Sequence, residues 1–250
     1  MTIVDAHVHL LDDDFAPEVI AEGDRLGVDV FVGSSLCRFR YYPSAEDVLT
    51  ANDAMYAVTR KHPGRVLAYC YVNPRLGQWG LTDFRRRFED QQVVGIKLWV
   101  ATLADDPVVF PFVEQAIAYR APLLVHAWRK TDGSQLPYES TASHVARLAR
   151  RYPEARIIMA HLGGQVESAL NRIAPYPNVR VDTSGTPIGG GAVALAVQRL
   201  GAERVVFGSD AHIGCLAANL GKVLGAGLSH DDLSLVLGLN MKRLLDEVLR

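Results

Sequence analysis

Eight short runs rich in Val, Ile and Leu recur along the chain, at Ile3–Val8, Val28–Val32, Val66–Val72, Val93–Val100, Pro122–His126, Arg156–Leu162, Val179–Asp182 and Val205–Asp210. Their starts lie 23 to 38 residues apart. The runs are continuous rather than alternating, the pattern of strands buried on both faces of a parallel sheet. Parallel strands need crossover connections, and the intervening segments read as helices. Ala45–Lys61 opens after Ser44 and closes at His62-Pro63-Gly64, with Val48, Leu49, Met55 and Val58 near helical spacing. Phe110–Tyr119 and Ser143–Tyr152 behave alike, and Pro122 or Pro153 follows each. Ser229 is an N-cap signal, with Asp231 and Asp232 in the first turn behind it. Gly189–Gly191 reads as a loop. Eight β-α units in 250 residues predict an α/β fold, a (β/α)8 TIM barrel with allowance for distortion, as one domain over 1–250. The rival is a doubly wound open sheet, but no G-x-G-x-x-G follows a strand.

Composition narrows the function. Lys plus Arg number 26 against 28 Asp plus Glu, a net charge of -2, which argues against a nucleic-acid partner. No apolar run of about 18 residues is present, so no membrane span is expected. The N-terminus lacks a basic segment followed by an apolar one, so no signal peptide is expected. Cys37, Cys70 and Cys215 are too few and too far apart for a disulfide framework, and Cys70 reads as a buried thiol. A cytoplasmic protein acting on a small molecule is the expectation.

The chemistry is concentrated at strand ends. In Asp5-Ala6-His7-Val8-His9 the two histidines stand two apart on one strand and point to the same face, where one metal ion suits them. Two exposed histidines at a strand end are the plainer reading. Lys97 lies within the fourth run, while His126, His161 and Asp210 end the fifth, sixth and eighth. In a barrel these groups share one mouth, the C-terminal one, where barrel active sites lie. Burying so many polar groups without partners would be costly.

This order of residues resembles the metal-dependent amidohydrolase superfamily. Val4-Asp5-Ala6-His7-Val8-His9, Ala160-His161-Leu162-Gly163-Gly164, Asp182-Thr183-Ser184-Gly185 and Phe207-Gly208-Ser209-Asp210 look like its "amidohydrolase 2" branch. The closing Gly238-Leu239-Asn240-Met241-Lys242-Arg243-Leu244-Leu245 is similar to the branch's C-terminal helix. The resemblance implies metal ligands at His7, His9 and His126, holding one or two zinc ions (Zn2+) or another divalent metal. It implies that Asp210 binds the metal or its water and acts as general base. His161 would be an acid/base in a one-metal site or a ligand in a two-metal site. Lys97 would be a bridging carbamate, a charged contact for a substrate carboxylate, or a packed stem with a paired ammonium. The implied reaction is hydrolysis of an amide, ester or lactone of a small, carboxylate-bearing substrate by metal-activated water. Non-oxidative decarboxylation within the same branch is the alternative, and a barrel that binds without catalysis is a third reading. A homodimer is compatible with the resemblance.

Substrate contacts are less constrained. Arg38, Arg40 and Tyr41 follow the second run on a loop at the mouth, where Arg38 would clamp a carboxylate unless the loop is simply solvated. Trp99 and Trp128 flank Lys97 and His126 and either wall a pocket or pack. Arg129 and Lys130 add positive charge on the same loop. His212 departs from the branch pattern and would touch substrate, a second metal or solvent. Asp182 and Ser184 end the seventh run and would line the site. His62 at a helix C-terminus, His144 within a predicted helix and His230 in a first helical turn are read as non-catalytic, and Asp12-Asp13-Asp14 as a solvated acidic loop.

Overall fold

The computed structural model describes residues 1–10, 15–185 and 191–248. Among them are eight strands: β1 (Val4–Val8), β2 (Val30–Gly33), β3 (Val66–Val72), β4 (Gly95–Leu98), β5 (Pro122–Val125), β6 (Arg156–Met159), β7 (Val179–Asp182) and β8 (Val205–Val206). Each pairs in parallel with its successor, in the order β1 to β8. The ends of the series meet. Ala6 N–H donates to Phe207 O at 2.9 Å, Asp210 N–H donates to His7 O at 2.8 Å, and Val8 bridges Ala211. The result is a distorted (β/α)8 barrel. The distortion sits in β8: of the run Val205–Asp210 only two residues are strand, and the rest bends into the mouth with Asp210 at φ 60°.

The helices follow in turn: α1 (Ala16–Leu26), α2 (Ala45–Lys61), α3 (Gly77–Glu89), α4 (Phe110–Ala118), α5 (Ala142–Arg151), α6 (Val166–Ile173), α7 (Gly191–Leu200), α8 (Leu216–Leu224), α9 (His230–Ser234) and α10 (Asn240–Asp246). Local chemistry starts them where the sequence predicts. Ser44 Oγ accepts from Asp47 N–H while Asp47 accepts from Ser44 N–H, a reciprocal capping box on α2. Ser229 Oγ accepts from Asp232 N–H at α9. Gly191 opens α7, whereas Gly189, Gly190 and Asp12-Asp13-Asp14 lie outside the described residues.

Side-chain alternation sorts the core into layers. Ile96 and Leu98 pack outward in the large cluster that includes Phe112 and Val113 of α4. Lys97, between them, shares its register and face with Leu124 of β5. Leu124 belongs to a second cluster with Val4, Val32, Tyr69, Ile158 and Val206, to which α10 adds Met241 and Leu244. A register shift in β1 between Asp5 and Val8 re-aims its later residues. The three cysteines are free, with Cys37 and Cys70 buried. Among the described residues no helix is long and apolar enough to cross a membrane.

Gly95 marks a close strand contact, since a Cβ there would lie 2.4 Å from Pro122 O. Gly95→Ala is expected to lower stability by about 1–3 kcal/mol, as overpacking does. Gly221→Ala, where nothing lies within 4 Å of the added carbon, serves as the neutral or stabilising control in urea denaturation.

Candidate metal centre and substrate cavity

His7 and His9 leave β1 with their rings converging, Nε2 to Nε2 at 3.1 Å. Each ring is fixed from behind. His7 Nδ1–H donates to Asp182 Oδ2 at 2.8 Å, and His9 Nδ1–H donates to Ser34 O at 3.1 Å. Both Nε2 lone pairs therefore face the same point. Asp210 Oδ1 faces it too, 3.1 Å from His9 Nε2 and 3.4 Å from His7 Nε2, shielded from solvent and without a hydrogen bond.

Three electron-rich atoms this close repel one another unless they share a cation. Ligand atoms about 2.1 Å from a divalent ion lie roughly 3.0–3.4 Å apart in octahedral or tetrahedral arrangement, which matches the spacing here. The donor set therefore fits a metal. His161 is the next group out, with a ring nitrogen within 4.8 Å of the donor atoms of His7 and Asp210.

His126 and His161 form a second pair, Nδ1 to Nε2 at 3.0 Å. His126 Nε2–H donates to Glu139 Oε1 at 2.9 Å, which leaves Nδ1 as its lone pair. Ser184 Oγ lies 2.5 Å from Asp182 Oδ1 and 2.9 Å from His161 Nδ1. With the hydroxyl proton given to the carboxylate, His161 Nδ1–H donates to Ser184, and its Nε2 lone pair also faces inward. His126 thus sits beside His161, not between His7 and His9. Lys97 is fully buried and its Nζ donates to His7 Nε2 at 2.8 Å.

The electrostatics suit a cation. Burial lowers the pKa of His9 to about 4 and holds His126 and His161 below the usual histidine range, so all three stay neutral. Burial alone would raise Asp182 and Asp210, but His7 and His161 around both, with Ser184 at Asp182 and His9 at Asp210, keep them well below the usual carboxylate range. Burial lowers Lys97 to about 8 against the pull of Asp210 and Asp182. His161 (φ 61°) and Asp210 (φ 60°) both adopt left-handed backbone, a strain that persists where the surroundings fix the side chain.

A cavity of about 280 Å³ opens above these groups. His9, His126, His161 and Asp210 form its floor, and Phe39, Tyr41, Trp99 and Trp128 its aromatic walls. Trp128 lies against His161, ring centroids 5.0 Å apart, and packs on Gly164 and Gly185. A Cβ on Gly164 would come within 2.8 Å of the indole, and both glycines have left-handed φ, so only glycine fits beneath this wall.

The other residues singled out in the sequence take these places. Arg38 is exposed and borders a separate cavity with Arg40, Glu46 and Thr50, away from the metal-ligating groups. Arg40 pairs with Asp47 at 2.7 Å. His212 does not line the substrate cavity; its Nδ1–H donates to His9 O at 2.9 Å and its ring stacks on Phe15. Arg129 borders another polar cavity, while Lys130 reaches the main one. His62 ends α2, His144 caps α5 and His230 opens α9, all outside the site. Glu139 went unnoticed in the sequence because it lies on an irregular loop with no motif around it.

The neutral histidines make stability depend on pH. Below pH about 6.5 the unfolded chain takes up protons at His9, His126 and His161 more readily than the folded chain, at His9 down to pH about 4, so stability falls on acidification. Asp5, raised to about 7 by burial, opposes this with one group against three. The urea midpoint of metal-free protein is expected to be lower at pH 5 than at pH 7, and His9→Gln to flatten the difference. A higher midpoint at pH 5 would contradict this assignment.

The comparisons agree with this fold. No curated protein sequence matches the chain. Among solved structures it is similar to 2,6-dihydroxybenzoate decarboxylase from Rhizobium, at 16% identity and a TM-score of 0.83, covering 98% of this chain and 99% of that one. A dihydroxybenzoic acid decarboxylase from Polaromonas, with bound manganese and the inhibitor 2-nitroresorcinol, matches at 16% identity and a TM-score of 0.77, covering 98% and 97%. 5-Carboxyvanillate decarboxylase from Sphingomonas paucimobilis matches at 20% identity and a TM-score of 0.75, covering 92% and 82%. The family model described as Amidohydrolase matches residues 4–246, and on that span the chain belongs to the amidohydrolase family.

Proposed function

We propose that this chain is a metal-dependent decarboxylase of small aromatic acids that carry a hydroxyl next to the carboxylate. The observation that carries the reading is the aromatic cavity, with Phe39, Tyr41, Trp99 and Trp128 set directly over His9, His126, His161 and Asp210. Its volume suits a single-ring substrate. The decarboxylases among the similar structures support the same choice, which moves the sequence's second reading ahead of hydrolysis.

In this reading His7, His9 and Asp210 hold a divalent ion, with His161 and His126 beside it. Bound there, the ion would supply Lewis-acid attraction for the substrate's carboxylate and hydroxyl oxygens. Nitrogen and oxygen donors suit zinc or manganese, and the Polaromonas relative holds manganese. The tryptophan walls orient the ring and exclude water. Lys130, 3.1 Å from Glu139 at the cavity edge, adds positive charge for the carboxylate.

Asp210 moves the proton. Its ionised carboxylate takes the substrate hydroxyl proton on Oδ2 and passes it to the ring carbon that bears the carboxylate. The bond to the carboxylate then breaks, its electron pair returns through the ring to the phenolic oxygen, and carbon dioxide departs. Solvent reprotonates the phenolate.

A hydrolase with two ions is the second reading, favoured by the paired lone pairs of His126 and His161 and by the lowered pKa of Lys97, which makes a neutral, carbamate-forming amine accessible. The two separate in one experiment. Metal-loaded protein is offered 2,6-dihydroxybenzoate and related ortho-hydroxy acids, then a panel of lactones and amides. Carbon dioxide release with about one metal per chain is expected, and Asp210→Asn is expected to cut kcat by about 10²–10⁴-fold. Hydrolysis without carbon dioxide, at about two metals per chain, would replace the decarboxylase by the hydrolase.

A further inference from the structure

We propose that Glu139 is a positioning residue that sets the tautomer of His126 and anchors the wall of the substrate cavity to that ring. The inference deepens the metal-centre reading and rests on it for its functional consequence. Glu139 lies between β5 and α5 and is only 4% exposed. Its two oxygens are divided between two tasks. Oε1 accepts from His126 Nε2–H at 2.9 Å. Oε2 accepts from Leu136 N–H at 3.2 Å, Gln135 Nε2–H at 3.0 Å and Lys130 Nζ at 3.1 Å. Gln135 Nε2 also donates to Trp128 O at 2.9 Å. One buried carboxylate therefore gathers Lys130 and Leu136 of the cavity wall, and through Gln135 the backbone of Trp128, onto one imidazole.

The consequence for His126 follows from proton bookkeeping. A neutral imidazole carries one N–H, and the position of that hydrogen decides which nitrogen has a lone pair. Glu139 at Oε1 accepts only, so the hydrogen stays on Nε2 and the Nδ1 lone pair faces His161 Nε2, 3.0 Å away. Carboxylates behind metal-binding histidines act in this way, and their loss typically weakens metal binding about 10–100-fold.

Glutamine at this position inverts the arrangement with almost no change of shape. Three donors converge on Oε2, so the amide oxygen must take that place. The amide NH2 then occupies the Oε1 place and donates to His126 Nε2. The ring is driven to the Nδ1–H tautomer, whose hydrogen points into the centre where the lone pair was.

The test is nitrogen NMR on full-length, metal-free protein with 15N-labelled histidine, followed by zinc titration. Wild type is expected to show His126 as the Nε2–H tautomer, and Glu139→Gln as the Nδ1–H tautomer, with both melting within a few degrees of each other. Lys130→Met, which removes one donor but no acceptor, is expected to keep the wild-type tautomer. An unchanged His126 tautomer in Glu139→Gln would overturn the proposal. If wild type binds no zinc or manganese, the metal-centre reading fails, while the tautomer comparison still decides the role of Glu139.

Discussion

Asp182 is the interaction on which the site depends. It is fully buried at the end of β7, yet it reaches three strands' worth of chemistry. One oxygen takes His7 Nδ1–H, and the other takes His161 N–H together with the Ser184 backbone and hydroxyl. An ionised carboxylate in the interior is tolerable only with such a full set of donors. In exchange it fixes the tautomer of His7 and, through Ser184, orients His161. Asp182 therefore turns separate strand ends into one centre without itself reaching the cavity.

The same logic extends outward in layers. Imidazoles point their Nε2 or Nδ1 edges inward because acceptors stand behind them: Asp182 behind His7, Ser34 O behind His9, Glu139 behind His126. Asp182 and Glu139 remain ionised because imidazole N–H groups and backbone amides surround them. The left-handed backbone at His161 and Asp210 is held in place by this network, as strain at functional sites usually is. Trp128 closes over it on two glycines that leave room for the indole.

Fold and ligand types leave the reaction open, because the same barrel mouth serves hydrolysis and decarboxylation. The choice lies in what stands above the ligands. Here that is a compact chamber with Phe39, Tyr41, Trp99 and Trp128 in its walls. Its walls come from loops after β2, β4 and β5, segments distant in sequence and without a common motif.

The sequence by itself determined the barrel and the polar residues at its mouth. Continuous apolar runs can be buried on two faces only in a parallel sheet, and a polar residue ending such a run must lie at the sheet's rim. His7, His9, His126, His161, Lys97 and Asp210 are legible for that reason. Direction is not legible in the same way. Arg38 and His212 lie near the mouth in sequence but turn aside, Arg38 on a strained turn with φ 51° and His212 into a stack on Phe15. Glu139 shows the converse: an unremarkable loop residue that long-range packing carries to within hydrogen-bonding distance of His126. Periodicity is a local property and survives in the sequence. Which nitrogen faces the centre, and which carboxylate stands behind it, depends on contacts between residues far apart in the chain, and only the tertiary structure decides them.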